Sequence, residues 1–297
     1  MEDLDNKNDN NSDNSTDNST DNSTDNTNSD KSSLGSKLIA FWDSWTGTFV
    51  VVFFVIFFVA QAFVIPSGSM IKTLLIGDML FVKKFKYGVT IPTIPWIEVP
   101  IMPDFNKNGH LIEGDRPERG DIVVFRYPHN PSVYYVKRCV ATGGDLLLVK
   151  DKDLYIHHKD GDKYIKANFS EDKIVEIGHL LWVKNPYQEN HSGIVHDNSI
   201  IDNGMMPKQL FDFRPIKVPE DEFFMMGDNR DHSNDSRFWG TVPYKYIVGT
   251  PWMIYFSWDK DRNIRWERVF KNVEELEGSM KTNQNDKNYN HKIEGIY

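Results

Sequence analysis

Apolar positions are unevenly spread along the chain. Phe49 to Ile65 carries one polar residue, Gln61, and no charge. Extended back over Thr46-Gly47-Thr48, the run reaches the roughly 20 residues that a membrane-spanning helix needs. A helix packed on a globular surface would show a polar face, and this Phe- and Val-rich run shows none. Trp42 and Trp45 precede it and suit the aromatic belt of a membrane interface. The helix is predicted to end near Ala62. Pro66 pushes the residue before it out of helical geometry, which makes Phe63-Val64-Ile65 extended. A cleaved leader is not indicated, because the run begins after a long polar stretch and Ile65-Pro66 is a poor cleavage context.

A tail of different character comes first. Asp13 to Thr24 is Asp-Asn-Ser-Thr three times over, and Asn, Asp, Ser and Thr dominate residues 1–33. Such a stretch has almost nothing to bury against the entropy of ordering it, so residues 1–37 are expected to be a disordered, solvated tail. It holds nine acidic residues and three lysines, and so accounts for six of the chain's nine net negative charges. No basic stripe occurs elsewhere, which argues against nucleic-acid binding.

Beyond the apolar run, short strand-like stretches recur: 79–82, 121–125, 133–140, 146–149, 180–183, 222–226, 247–248 and 252–256. Tyr87-Gly88, Arg119-Gly120-Asp121, Gly143-Gly144-Asp145 and Gly227-Asp228-Asn229 separate them as turns. One helix is expected, from Trp266 to Leu276. The predicted fold class is mostly β: an antiparallel β-sheet domain with an inserted smaller β lobe, preceded by a single N-terminal transmembrane helix. The expected division is 1–37 acidic tail, 38–62 interfacial segment and anchor, 63–149 first part of the main domain, 150–220 inserted lobe, 221–278 second part, and 279–297 polar C-terminal tail.

Candidate chemistry begins just past the anchor. Ser69 stands in Ser67-Gly68-Ser69-Met70, and Lys137 in Tyr134-Tyr135-Val136-Lys137-Arg138. A serine so close to a span stays near the bilayer, because each extended residue adds at most about 3.6 Å. With a lysine as its base it would act on a membrane-borne substrate. There is no Walker A loop, His-Glu-x-x-His or paired Cys-x-x-Cys, so neither cofactor nor metal is expected. The histidines are scattered, with His157-His158 in a polar turn, and Ser69 lacks the Gly-x-Ser-x-Gly setting of a Ser-His-Asp hydrolase. Cys139 is the single cysteine, which excludes an intramolecular disulfide; packing is its favoured role.

Several segments together resemble the type I signal peptidases, the membrane-bound leader peptidases. Ile65-Pro66-Ser67-Gly68-Ser69-Met70, Thr73-Leu74 and Gly77-Asp78 resemble their nucleophile segment. Arg119 to Phe125 is similar to their second motif, and Tyr135-Val136-Lys137-Arg138 with Gly144-Asp145 to their lysine motif. Gly227 to Gly240 is similar to their last motif almost throughout. The resemblance covers residues 46–149 and 218–258. Lys72 and Gly143 depart from it, standing where the family usually has proline.

The resemblance implies a serine endopeptidase that removes signal peptides from secretory precursors, cleaving after small residues in an Ala-x-Ala-like pattern. Ser69 would be the nucleophile and Lys137 the general base. Ser67 and the Ser69 N–H would form the oxyanion hole, and Ser233 would orient the Lys137 amine. Asp228, Asn229, Asp235 and Arg237 would hold the site loop. Phe63, Ile65, Pro66, Met70, Tyr134, Tyr135 and Val136 would line the path of an extended substrate. Burial among Tyr135, Val136, Cys139 and Val140 disfavours a charged Lys137, whereas a solvated Lys72 would stay protonated at neutral pH. Precursor proteins and membrane lipid are the implied partners; no oligomeric state is legible. Two other readings stay open: a Ser/Lys peptidase devoted to one partner, such as a pilin or conjugation component, and an inactive membrane-tethered interaction module.

Topology divides the arguments. Lys31 and Lys37 precede the run, whereas Lys72, Lys83, Lys84 and Lys86 follow it, so the lysine count alone leans toward an outer N-terminus. The resemblance implies the opposite: a cytoplasmic tail, one span, and the catalytic domain on the outer, periplasmic side of the bacterial plasma membrane.

Overall fold

The computed structural model describes residues 44–54, 60–91 and 99–283. The acidic tail, Trp42, residues 55–59 and residues 284–297 lie outside the described residues. Trp45–Phe54 forms helix α1. Among the described residues no helix is long and apolar enough to cross a membrane. The expectation of a helix running to Ala62 is corrected: Ala60–Val64 is strand β1, antiparallel to β2 (Asp78–Lys83), from Ala60↔Lys83 to Val64↔Met79. A continuous apolar run has no period that separates helix from strand. Here Asp78–Lys83 supplies a backbone partner, and exposure alternates, with Ala62 and Val64 open and Phe63 half-buried.

The strands continue as β3 (Gly88–Thr90), β4 (His110–Glu113), β5 (Ile122–Tyr127), β6 (Asn130–Thr142), β7 (Leu146–Lys150) and β8 (Asp153–His157). Helix α2 (Gly161–Asn168) is followed by β9 (Ile174–Ile177), β10 (Leu180–Lys184), β11 (Phe213–Lys217) and β12 (Glu222–Met226). Helix α3 (Ser236–Trp239), β13 (Val242–Pro243), β14 (Ile247–Ser257), β15 (Lys271–Asn272) and α4 (Val273–Asn283) complete the described order. An eight-stranded antiparallel sheet runs β1-β2-β14-β5-β6-β12-β13, with β15 on β14. A smaller antiparallel sheet runs β11-β7-β8-β10-β9, and β3 pairs with β4. The smaller sheet thus begins at Leu146 and ends at Lys217.

Strand β12 shows how the core is built. Its apolar run alternates faces. Phe223 and Met225 pack with Val123, Phe125, Cys139 and Ile247, while Phe224 and Met226 pack with Val140, Leu147, Leu154 and Ile156 of the lobe side. Each such buried side chain stabilises the fold by about 1.5–3 kcal/mol, so β12 ties the two sheets together. A third cluster, including Ile65, Met70, Leu74, Leu80 and Val124, lies under the loop between β1 and β2. The helix expected over Trp266–Leu276 is also corrected. Trp266–Arg268 is one 3-10 turn, Phe270 is left-handed at φ 60, and α4 starts only at Val273. Val273 and Leu276 then bury into the third cluster.

Candidate active site

The loop from β1 to β2 presents Ser69, and its base is tied shut. Ile65 N–H donates to Asp78 O at 2.8 Å, and Gly77 N–H to Ile65 O at 3.0 Å. The buried Asp78 carboxylate accepts from Leu75 N–H at 2.8 Å, Ser257 Oγ at 2.7 Å and Arg268 Nη2 at 2.6 Å. Within this closed loop Gly68–Met70 makes a single 3-10 turn.

Lys137 comes from β6, which pairs with β5 along that stretch but meets β12 only from Arg138 onward. Lys137 Nζ donates to Ser69 Oγ at 2.6 Å and to Val136 O at 3.1 Å. Both residues are buried, at 8% exposure for Ser69 and 4% for Lys137. Burial pushes the amine down to about 8; Asp235 and Asp228 pull it back up from a distance, and Arg237 pushes it down. Near neutral pH a useful fraction is therefore free of its proton.

The loop after β12 grips the nucleophile turn from the other side. Asn229 N–H donates to Ser69 O and Asn229 Nδ2 to Gly68 O, each at 3.1 Å. Asp235 caps α3, accepting from Arg237 N–H at 3.3 Å, and receives Arg237 Nε and Nη2 at 2.8 Å and Gly227 N–H at 3.0 Å. Asp228 receives Thr73 Oγ1 at 2.6 Å and both Arg138 Nε and Nη2 at 2.7 Å. Burial alone would raise these two carboxyls; Arg138 beside Asp228 and Arg237 beside Asp235 hold them low. Asp228, Asn229, Asp235 and Arg237 are thus brought together around Ser69 and Lys137.

Ser67 Oγ lies 3.5 Å from Ser69 Oγ. Ser233 is buried, with its hydroxyl beside Asp235; the Lys137 amine bonds Ser69 Oγ and Val136 O. Ser233 also neighbours Gly227, where a Cβ would come 2.3 Å from Ser233 Oγ and 2.6 Å from Ser69 O. Of the expected substrate-binding residues, Phe63 and Tyr134 meet ring to ring at 5.1 Å. Ile65 and Met70 are buried, Tyr135 and Val136 half-buried, and Pro66 exposed.

Other residues singled out from the sequence fall elsewhere. Lys72 is half-exposed at φ 76, a left-handed backbone that a proline ring, fixed near −65°, cannot adopt. A Cβ on Gly143 would meet Pro219 O at 3.0 Å. His232 Nε2 lies 2.9 Å from Asp197 Oδ2. His157 bonds Leu181 O, and His158 packs on Phe169. Cys139 is buried, and burial pushes its thiol up. A cleft of about 950 Å³ between Arg119, Gly143, His158 and His191 shares no residue with the Ser69–Lys137 pair.

Sequence reasoning quoted Thr73, Arg138 and Gly227 without giving them roles. A signal existed for Arg138. A guanidinium between Val136 and Cys139 in an apolar strand must find a carboxylate, since an unpaired buried charge is strongly destabilising.

A family model described as signal peptidase, peptidase S26, matches residues 38–257, which hold the Ser69 turn, the Lys137 strand and the loop after β12. A signal peptidase I of Helicobacter pylori is 49% identical over 257 residues, covering 75% of this chain and 89% of the relative. One of Pseudomonas fluorescens is 34% identical over 221 residues, covering 69% of this chain and 67% of the relative. Against a crystal structure of an Enterococcus faecalis signal peptidase I the TM-score is 0.25, at 24% identity over 46% of this chain and 97% of the other. On the extent of the family match and of the Helicobacter pylori identity, the chain belongs to the signal peptidase family, peptidase S26.

Proposed function

We propose that the chain is a membrane-anchored serine endopeptidase that removes signal peptides from exported precursor proteins, cleaving after small residues in an Ala-x-Ala-like pattern with Ser69 and Lys137 as its dyad. The observation that carries this mechanism is the buried 2.6 Å contact between Lys137 Nζ and Ser69 Oγ. In the neutral amine the bond runs the other way, from the Ser69 hydroxyl to the Nζ lone pair. As Oγ attacks the scissile carbonyl, Nζ takes its proton, a step of the kind that contributes about 10²–10⁴-fold. Nζ then returns the proton to the leaving amine and activates the water that frees the acyl enzyme.

The ammonium formed in between carries three N–H donors. Val136 O and Ser69 Oγ already receive two. The buried Ser233 Oγ is the acceptor assigned to the third. Ser67 Oγ and the Ser69 N–H are assigned to the developing oxyanion, where fixed donors act most strongly. An extended substrate adds between two strand edges open among the described residues: β1, which there pairs with β2 alone, and β6 before Arg138. Phe63 and Tyr134 wall that path, which favours small side chains.

The anchor is assigned to the apolar sequence before β1, with the tail in the cytoplasm and the catalytic domain on the outer side of the bacterial plasma membrane. The Ser69–Lys137 contact weighs against an inactive interaction module. The test is cleavage of several unrelated precursors by membranes carrying wild type, Ser69→Ala or Lys137→Ala. Wild type is expected to cut them all and both variants none, while remaining inserted and folded. Cleavage of a single precursor would favour a dedicated peptidase, and an active Ser69→Ala would overturn the dyad.

A further inference from the structure

In the segment between β10 and β11, Gly193–Asp197 runs between the two loops that carry Ser69 and Ser233. Gly193 lies against the nucleophile loop: a Cβ there would come 2.1 Å from Thr73 Oγ1 and 3.3 Å from Thr73 Cβ. That same hydroxyl donates to Asp228 at 2.6 Å. Two residues on, Val195 N–H donates to Asp228 O at 2.9 Å, and Val195 O accepts from Arg230 N–H at 3.0 Å. Asp197 N–H then donates to Asp231 Oδ2 at 2.7 Å. Between these contacts the Ile194 side chain is buried in the cluster that joins the lobe to β6 and β12. The segment therefore touches Thr73, just after the nucleophile, and Asp228 to Asp231, just before Ser233. Asn229, in the middle of the second stretch, is the residue whose N–H holds Ser69 O.

We propose that Gly193–Val195 is a positioning strap of the active site. It fixes the separation of the nucleophile loop from the Asp228–Ser233 loop, and Gly193 is a positioning residue for the Ser69–Lys137 pair. The inserted lobe is on this account part of the catalytic apparatus. The inference rests on the dyad reading above. Its physical basis is lack of slack. The Thr73–Asp228 bond forms only because Gly193 has no side chain, so any Cβ must push Thr73 off Asp228 or lift the strap from Asp228 O. Either movement separates two loops whose contact sets where Ser69 stands, and a displacement of roughly 1 Å costs about 10²-fold in rate.

The experiment compares detergent-solubilised full-length wild type, Gly193→Ala, Thr73→Ala and Thr73→Ala/Gly193→Ala, with Ser69→Ala beside them, on a peptide spanning a signal-peptide cleavage site. Gly193→Ala is expected to lose about 10²-fold in kcat with KM changed less than about twofold. The acid limb of its pH profile should move to higher pH, because a displaced Ser69 lets water reach Lys137. In the Thr73→Ala background the hydroxyl that the new Cβ strikes is gone. Adding Gly193→Ala there should cost less than about twofold more, the non-additivity of two changes acting through one contact. If Gly193→Ala alone does not fold, the double variant decides. Wild-type kcat and acid limb in Gly193→Ala overturn the strap, as does a double variant that adds its full loss or stays unfolded. In those cases an inactive Ser69→Ala leaves the dyad standing, whereas an active Ser69→Ala overturns the dyad itself.

Discussion

Lys137 and Arg138 are consecutive on β6 and equally hidden from water, yet the two sides of the strand treat their charges in opposite ways. Lys137 meets a hydroxyl and a carbonyl, and its amine falls to about 8. Arg138 meets Asp228 through two parallel bonds, with Glu277 and Gly120 O beside it, and its guanidinium is held charged. Burial alone does not decide what a basic group does. The contact partner does: a carboxylate fixes the charge, and its absence releases the proton. The strand thus places a base and a structural cation one residue apart.

The hardest test of this contrast is Lys137→Arg, which keeps the positive charge but cannot give up its proton. Precursor cleavage should fall by about 10²–10⁴-fold with the fold intact; retained activity would break the comparison on its catalytic side. Arg138→Met tests the other side. It leaves Asp228 buried and unpaired, so denaturation should show a loss of about 3–5 kcal/mol, and adding Asp228→Leu should restore most of it. An unchanged denaturation midpoint for Arg138→Met would show that the pair is not what holds that face.

Gly227→Ala presses a methyl group on Ser233 Oγ and Ser69 O, both closer than 3 Å to the new Cβ. The displacement of Ser69 from Lys137 should lower kcat by about 10²-fold, with a smaller change in melting temperature. Titration sharpens the contrast further. The Lys137 amine loses its proton on the way up through about pH 8, so the cleavage rate should rise with pH across an acid limb centred there. Stability should follow with a defined sign. Between about pH 8 and the ordinary lysine value of 10.5 the unfolded chain holds a proton that the native state lacks, so unfolding free energy should rise with pH in that window for wild type and not for Lys137→Met. The smallest effect is expected for Lys72→Ala, within about twofold of wild-type cleavage, since Lys72 is half-exposed and the amine that meets Ser69 Oγ is that of Lys137.

Much of the fold could be read from the chain because its strands are short apolar runs between glycine and aspartate turns. Ile122–Tyr127, Leu146–Lys150 and Glu222–Met226 are examples. The first strand could not be read in this way. Ala60–Val64 continues the apolar run with no change of period, and only the distant partner Asp78–Lys83 makes it a strand. The Trp266–Leu276 pattern failed for a related reason: pairing of Lys271–Asn272 with β14 and a left-handed Phe270 break it. Ser69 and Lys137 were found through motif resemblance. Their contact joins residues 68 apart, beyond any local rule. The acid that secures Arg138 lies 90 residues away, and the approach of Gly193 to Thr73 leaves no sequence mark apart from one glycine.

The molecule also carries its own clock for β6. Cys139 is the single thiol of the chain, is fully covered, and is disfavoured as thiolate by burial. Since the thiolate is the reactive form, an alkylating reagent can mark only those molecules in which the cluster of Val123, Phe125, Phe223, Met225 and Ile247 around Cys139 has momentarily opened. The rate at which one label appears per chain therefore measures the free energy of opening the packing that backs the Lys137 strand. A peptide bound along that strand should slow the labelling in proportion to its occupancy.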